Sequence, residues 1–394
     1  MIYLDYNATT PLCQAAGDAM QPFLGENFGN PSSIHAAGRN ARAVIDDSRD
    51  RLARLLGAKP HELIFTSGGT EANNLAILGL SRSRATRGRH VISYRTEHHA
   101  VLNTIEHLQK REGFEVTWLE TLPSGLIDLQ VLAEAIRDDT ALVSIMHANN
   151  ETGVIQPLAQ ISDICRRRGA LLHSDMVQSF GKIPTDLALV DVASFAAHKF
   201  YGPKGAGLLF LRSGIPIDPI HFGGAHENQR RPGTENVAAI AGMAAAAEFV
   251  EQDRADEQER ERKLRDRFWD EISGQIPSAV TNGDSAPRLA NTLNVSFPDL
   301  DSETMLMALD LEGICASSGS ACMVGSVVAS HVLLAMGLPL KLAKSAVRFS
   351  LGKFTSAQEI NVAVRIILQI IQRTHARHIA QTEHLAIQAA RVLL

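Results

Sequence analysis

The 394-residue chain is 45% hydrophobic and 21% charged, ordinary globular composition but too long for one core of common size, so two domains are expected. Lys and Arg total 38 against 43 Asp and Glu, a net charge of −5, which lacks the basic excess that binds a phosphate backbone and argues against nucleic acid as a partner. The opening MIYLDYNATT puts Asp5 where a signal peptide would be apolar, and no run approaches ~18 uninterrupted apolar residues. A cytoplasmic protein without a membrane span is expected. Cys13, Cys165, Cys315 and Cys322 are too scattered for a disulfide framework and form no CxxC pair.

From about residue 60 to 215, β-rich runs alternate with helical patterns, as in a doubly wound sheet. The predicted strands are 61–67, 90–94, 115–120, 141–148, 170–175, 192–197 and 207–211, several of them apolar on both faces. Helices such as TEANNLAILGLSR and QISDICRRRGA lie between them. The second sets Arg166, Arg167 and Arg168 before Gly169, a helix end rather than a binding patch. The stretch from Ala238 to Phe268 begins alanine-rich and becomes densely charged, which predicts one long solvated helix at the domain junction. Beyond it, strands at 291–297 and 347–352 and a helix around ETMLMALDLEG predict a smaller α+β domain, with YLDY as a possible extra strand.

Chemistry concentrates at predicted strand ends. IFTSGGTEANN runs from a strand through Ser67-Gly68-Gly69-Thr70 into a helix, a turn able to hold an anion on backbone N–H groups. A plain turn capped by Ser67 or Thr70 is the simpler alternative, and both stay open. His198-Lys199 leaves an apolar strand for a glycine-rich loop, where partial desolvation would lower the amine's pKa and suit Schiff-base formation. Asp175 ends the preceding strand and Gln178 follows it, so Gly69, Asn150, Asp175 and Lys199 converge on one crevice at the carboxyl edge of the sheet. An aldehyde cofactor with a phosphate and a pyridine ring needs such an anion turn, lysine and carboxylate. His98 follows another strand and either covers a planar cofactor, moves a proton or caps a helix, whereas His99 is read as structural. No cluster has metal-ligand spacing, and no metal is expected. Cys322 stands among small residues and glycines, which suits an exposed nucleophile, while Cys315 reads as apolar filling.

Taken in order, YLDYNATTP, FGNPSSIH, FTSGGTEANNLAI, TEHHAVL, NNETGV, HSDMVQSFGKIP, AAHKFYGPKGAG, RRPGTENV, SSGSAC, SHVLLAMG and VRFSLG resemble the pyridoxal-phosphate-dependent cysteine desulfurases of the NifS/IscS type. The resemblance covers nearly the whole chain. It implies a fold-type I α/β architecture: a large domain (15–257) with a mainly parallel seven-stranded sheet between helices, and a small domain (1–14 and 258–394) carrying the cysteine loop. It makes Lys199 the Schiff-base lysine and proton shuttle, Asp175 the partner of the ring nitrogen, and Gln178 the donor to the ring hydroxyl. Asn150 approaches the ring, and His98 stacks on it and acts in catalysis. Gly69, Thr70 and His198 hold the phosphate, joined by Thr234 from a second subunit, which implies a homodimer. Arg348, with Asn30, binds the substrate carboxylate, and Cys322 attacks the sulfur of L-cysteine and passes it to an acceptor such as an iron–sulfur scaffold protein. A selenocysteine lyase, an aminotransferase, or a phosphate-binding module without turnover are the alternatives. The chain departs from the pattern at Ala196, where many relatives have a hydroxyl, at Pro232, in MVGSVVAS after the cysteine, and in its tail.

Overall fold

Period-two alternation of apolar residues builds the central layer. The computed structural model describes residues 1–298, 300–319 and 329–392. Strand β1 is Ile2–Tyr3, β2 Leu63–Thr66, β3 His90–Tyr94, β4 Glu115–Leu119, β5 Thr140–Ser144, β6 Leu171–Asp175, β7 Val192–Ala196 and β8 Gly207–Leu211. Strands β2 to β8 form a seven-stranded sheet in the order β2-β8-β7-β6-β5-β3-β4. Only β8 runs against its neighbours, so β2, β3, β5, β6 and β7 all end on one edge. Alternation sends Phe65, Ile92, Val143 and Leu208 to one apolar face of the sheet and Ile64, Val91, Leu142 and Leu209 to the other, and helices cover both. This two-sided burial matches the α/β reading, and the predicted strands lie within a few residues of the observed ones.

The chain then turns to a second apolar cluster. Strands β9 (Val280–Thr281), β10 (Thr292–Ser296) and β12 (Ala346–Ser350) form an antiparallel sheet, while β11 (Ile314–Cys315) pairs in parallel with β1. The expected extra strand at YLDY is therefore present. Leu4 packs with Phe268, Leu293, Val347, Phe349 and Ile360 in this cluster.

The junction differs from the expectation of one solvated helix. Two helices form, Val237–Glu251 and Arg254–Gln275, broken at Gln252 and Asp253. The alanines of the first are small enough to be buried nearly all round, against the helices Gln14–Met20 and Ala36–Leu56. The second buries Glu261 and Arg265 with Phe268 and Ile272, and Arg265 meets this burial by donating to the Leu289 carbonyl at 2.9 Å. Dense charge thus concealed an inward face that the long side chains share. Cys315 is also less buried than expected, whereas Cys13 and Cys165 are buried.

His173 sits two residues before Asp175 on β6, on the same face of the sheet. Its ring joins Ser144 of β5 at 2.9 Å and Ser194 of β7 at 3.0 Å, tying three central strands beside the site edge. Burial pushes its pKa down to about 3. As pH falls from about 6 to 4, the unfolded chain takes up a proton that the folded chain refuses, so stability is lost on acidification. Relative to His173→Gln, wild-type unfolding free energy is expected to drop by about 1.4 kcal/mol per pH unit in that window. Equal pH slopes in urea titrations of the two proteins would mean that the imidazole is not held neutral.

Candidate active site

The loops leaving the common strand edge enclose a cavity of about 340 Å³ lined by Gly69, Thr70, His98, Asn150, Asp175, Gln178, His198, Lys199 and Arg348, among others. Nine of the residues singled out in the sequence thus share one wall. Thr234 does not line it; it faces a separate hollow with Ser67, Glu227 and Arg231. Asn30 lies on an exposed stretch and accepts from Ser32 N at 2.9 Å. Cys322 lies outside the described residues, but Gly319 before it and His331 after it both border the cavity.

The turn after β2 is shaped by close backbone approach. A Cβ at Gly207 would lie 2.5 Å from the Cα of Gly68, and one at Gly69 would meet Val177 at 2.8 Å and Ala196 at 3.4 Å. Neither Ser67 nor Thr70 caps the helix that begins at Gly69. Instead Glu71 reaches back to accept from Ser67 N at 2.7 Å and pairs with Arg231 at 2.8 Å. The helix start therefore keeps donors toward the cavity.

Asp175 accepts from Asn73 Nδ2 at 2.6 Å and from Val177 N at 2.9 Å. Burial holds its carboxyl above the ordinary range, against the pull of His98, these hydrogen bonds and Lys199. Lys199 Nζ donates to the carbonyls of Asn7 and Ala8, both at 2.7 Å. The N-terminal segment also grips this loop from outside: Thr10 donates to the His198 carbonyl and accepts from Tyr201 N. Tyr201 is thereby held at φ 65°, a left-handed conformation uncommon for such a residue.

His98 lines the cavity and caps the helix His99–Arg111, so the capping alternative holds. Its Nδ1 accepts from Ala100 N at 3.0 Å, which leaves the ring proton on Nε2 in the neutral form. Burial lowers its pKa and so favours that form. His198 is likewise pushed down to about 4, by burial and then by Lys199 and Lys204, and its Nδ1 lies 3.2 Å from Thr9 Oγ1.

Arg348 is buried on β12. It donates from Nη1 to the Asn150 carbonyl at 2.9 Å and pairs through Nη2 with Asp5 at 2.7 Å. Its Nε is buried and has no hydrogen-bond partner among the described residues.

Sequence reasoning missed several residues of the wall. Asn7 was quoted within a motif but given no role, and Asn73 follows the expected anion turn by one helical turn. His99, read as structural, borders the cavity and packs against His331 at 4.6 Å between ring centres. Glu151, adjacent to Asn150, is buried with its carboxyl bonded to Ser330 Oγ. The signal for His99 and Glu151 was their place beside a residue already selected, because loops at a strand edge present consecutive side chains to one cavity; Asn7 and Asn73 had no such neighbour.

Residues 2–362 match the aminotransferase class-V family. A cysteine desulfurase IscS from Dictyoglomus turgidum is 46% identical over 374 residues, spanning 94% of this chain and 95% of that protein. Among solved structures, a NifS-like protein superposes with a TM-score of 0.88 at 36% identity, covering 94% of this chain and 99% of that one. Another, SspA in complex with cysteine, gives 0.80 at 34% identity and covers 90% of this chain and all (100%) of that one. The match across most of the sequence, on a strand edge that carries these loops, means that the chain belongs to the aminotransferase class-V family.

Proposed function

We propose that this chain is a cysteine desulfurase, converting L-cysteine to L-alanine while Cys322 takes the sulfur as a persulfide and hands it to an acceptor protein of iron–sulfur or thio-cofactor synthesis. The observation that carries the reading is one cavity wall shared by Lys199, Asp175 and Arg348. The relative from Dictyoglomus turgidum bears the same activity in its name, and the structure of SspA holds cysteine.

The cofactor is pyridoxal phosphate, which supplies an aldehyde for the amino group and a ring that withdraws electrons from Cα. The residues present fit it. The cradle at Gly69 has no room for a Cβ, so the backbone there can approach a phosphate, with Thr70, His198 and the partner subunit's Thr234 as further donors. His198 meets the phosphate as a neutral donor because burial suppresses its charge. Asp175 is buried where a cationic ring nitrogen would favour its ionised form. Asn150 and Gln178 would hold the ring at its edge, and His98, with Nε2 protonated, would cover it.

Arg348 binds the substrate carboxylate, for which its unpartnered Nε is available. Lys199 Nζ moves the proton at Cα. The Cys322 thiolate then attacks the substrate sulfur: an S–S bond forms, the C–S bond breaks, and the electron pair left on carbon takes up a proton. L-cysteine and the thiol give L-alanine and the persulfide without an outside oxidant. A reducing cytoplasm suits sulfur stored on a thiol.

Purified protein is expected to be yellow and to release sulfide and alanine in equal amounts from L-cysteine with a reductant under anaerobic conditions. Cys322→Ala should lose both products but keep the colour, whereas Lys199→Ala should lose the band that borohydride bleaches in wild type. Alanine or pyruvate made without Cys322 would move the chain to another lyase or transferase activity.

Arg348→Lys keeps the charge beside Asp5 but not the planar fork. It should raise KM for L-cysteine about 10- to 100-fold, the size of one lost charge-assisted hydrogen bond or two. An unchanged KM would remove Arg348 from carboxylate binding.

The homodimer reading is supported by Thr234 lying outside its own chain's cavity and by the exposed side chains of Phe28, Ile34 and Phe222. Sedimentation velocity should give twice the chain mass, and a monomer that still binds pyridoxal phosphate tightly would refute the shared phosphate site.

A further inference from the structure

Behind the wall that holds Gln178, a second hollow is lined by Lys182, Glu257, Glu261 and Asn291, and Lys199 borders both spaces. Lys182 was part of HSDMVQSFGKIP but had no role. Its Nζ donates to Gln178 Oε1 at 2.9 Å and to Asn7 Oδ1 at 3.0 Å. A lysine ammonium can only donate, so it dictates which end of each amide faces it. Both oxygens turn toward Lys182 and both NH₂ groups turn away. Gln178 Nε2 gives one hydrogen to the Asn7 carbonyl at 2.9 Å, the same oxygen that accepts from Lys199. Its second hydrogen is left for the cavity that Gln178 lines.

We propose that Lys182 is a positioning residue: acting from behind the cavity wall, it fixes the Gln178 amide as a donor to the ring oxygen of pyridoxal phosphate and locks Asn7 in the matching orientation. The inference rests on the contact between Gln178 and the ring oxygen proposed above. Without Lys182 the amide is free to flip and present its oxygen, which repels the ring oxygen. Three charged groups act on Lys182: Glu261, from the junction helix, favours its charge, while Lys199 and Arg348 oppose it. Burial brings the amine down to about 7. A neutral amine still carries two N–H bonds, enough for both amide oxygens.

A donor to the ring oxygen draws electron density from it and weakens its hold on the neighbouring Schiff-base proton. Removing that donor raises the pH midpoint of the visible absorption band. The experiment is a double-mutant cycle on the loaded protein, with Lys182→Met and Gln178→Ala read by that midpoint and by melting of the apoprotein. Lys182→Met should raise the midpoint by about one unit, the size of a hydrogen bond to a charged group. In the Gln178→Ala background the same change should add less than about 0.3 unit. If the Met variant does not fold, Lys182→Gln serves, because an amide that can donate or accept no longer dictates orientation.

A shift of equal size in both backgrounds would overturn the proposal, since Lys182 would then act through its charge alone. So would an unshifted Lys182→Met beside a shifted Gln178→Ala. A Gln178→Ala midpoint equal to wild type would instead sink the contact between Gln178 and the ring oxygen, and the proposal with it.

Discussion

Asn7 uses every polar atom it has to hold the two clusters of the chain together. Its N–H donates to Ser350 Oγ at 2.9 Å, and its carbonyl accepts from Gln178 and Lys199. The side-chain amide donates to Thr292 Oγ1 and the Asn150 carbonyl and accepts from Lys182 and Asn291. Ser350, Thr292 and Asn291 belong to the second cluster's sheet and its approach, while Gln178, Lys182 and Lys199 follow strands of the first. A buried amide satisfied at all its sites resists rotation, because any turn strands several donors and acceptors at once. The position of Lys199 relative to Arg348 therefore depends on a residue that belongs to neither loop.

The electrostatics of the cavity follow from its depth. Burial raises the carboxyls of Glu151 and Asp175 and lowers the imidazoles of His98, His99, His198 and His331, so acids and bases alike are biased toward neutrality. Such a wall favours a ligand that brings its own charges. In the reading proposed above, a phosphate would meet neutral donors and the open helix start, a ring nitrogen a carboxyl able to ionise, and a carboxylate the guanidinium of Arg348. Each charge is then paired inside a low-dielectric space, where its interactions are strongest.

Most of this was legible because each signal was local. Apolar runs of strand length marked the sheet, and residues at strand ends marked its reactive edge. What escaped depended on relations across the chain. The inward face of the charged junction helix is invisible until Phe268 and Ile272 show which side is covered. Lys182 reads as one more surface lysine until the N-terminal segment brings Asn7 onto it. The choice left open at the turn after β2 could not be made locally, because Glu71, one residue beyond Thr70, satisfies Ser67 N from within the helix and no side chain caps it. Thr234 lies in a hollow apart from the cavity of its own chain, which no local signal foretells.

The exit from β5 links the remaining parts. Asn150 gives its carbonyl to both Asn7 and Arg348, and Glu151, next in the chain, bonds the Ser330 hydroxyl that caps the helix His331–Ala335. A methyl group at Gly319 would collide with that same carboxyl. Both described flanks of the stretch containing Cys322 therefore abut one buried acid, whose neighbour supports Arg348. Arg348 and these flanks take their position from two consecutive residues, and those residues are set by β5 and by Asn7. Moving this turn would displace both, and the acid buried at it is stabilised by a hydroxyl partner.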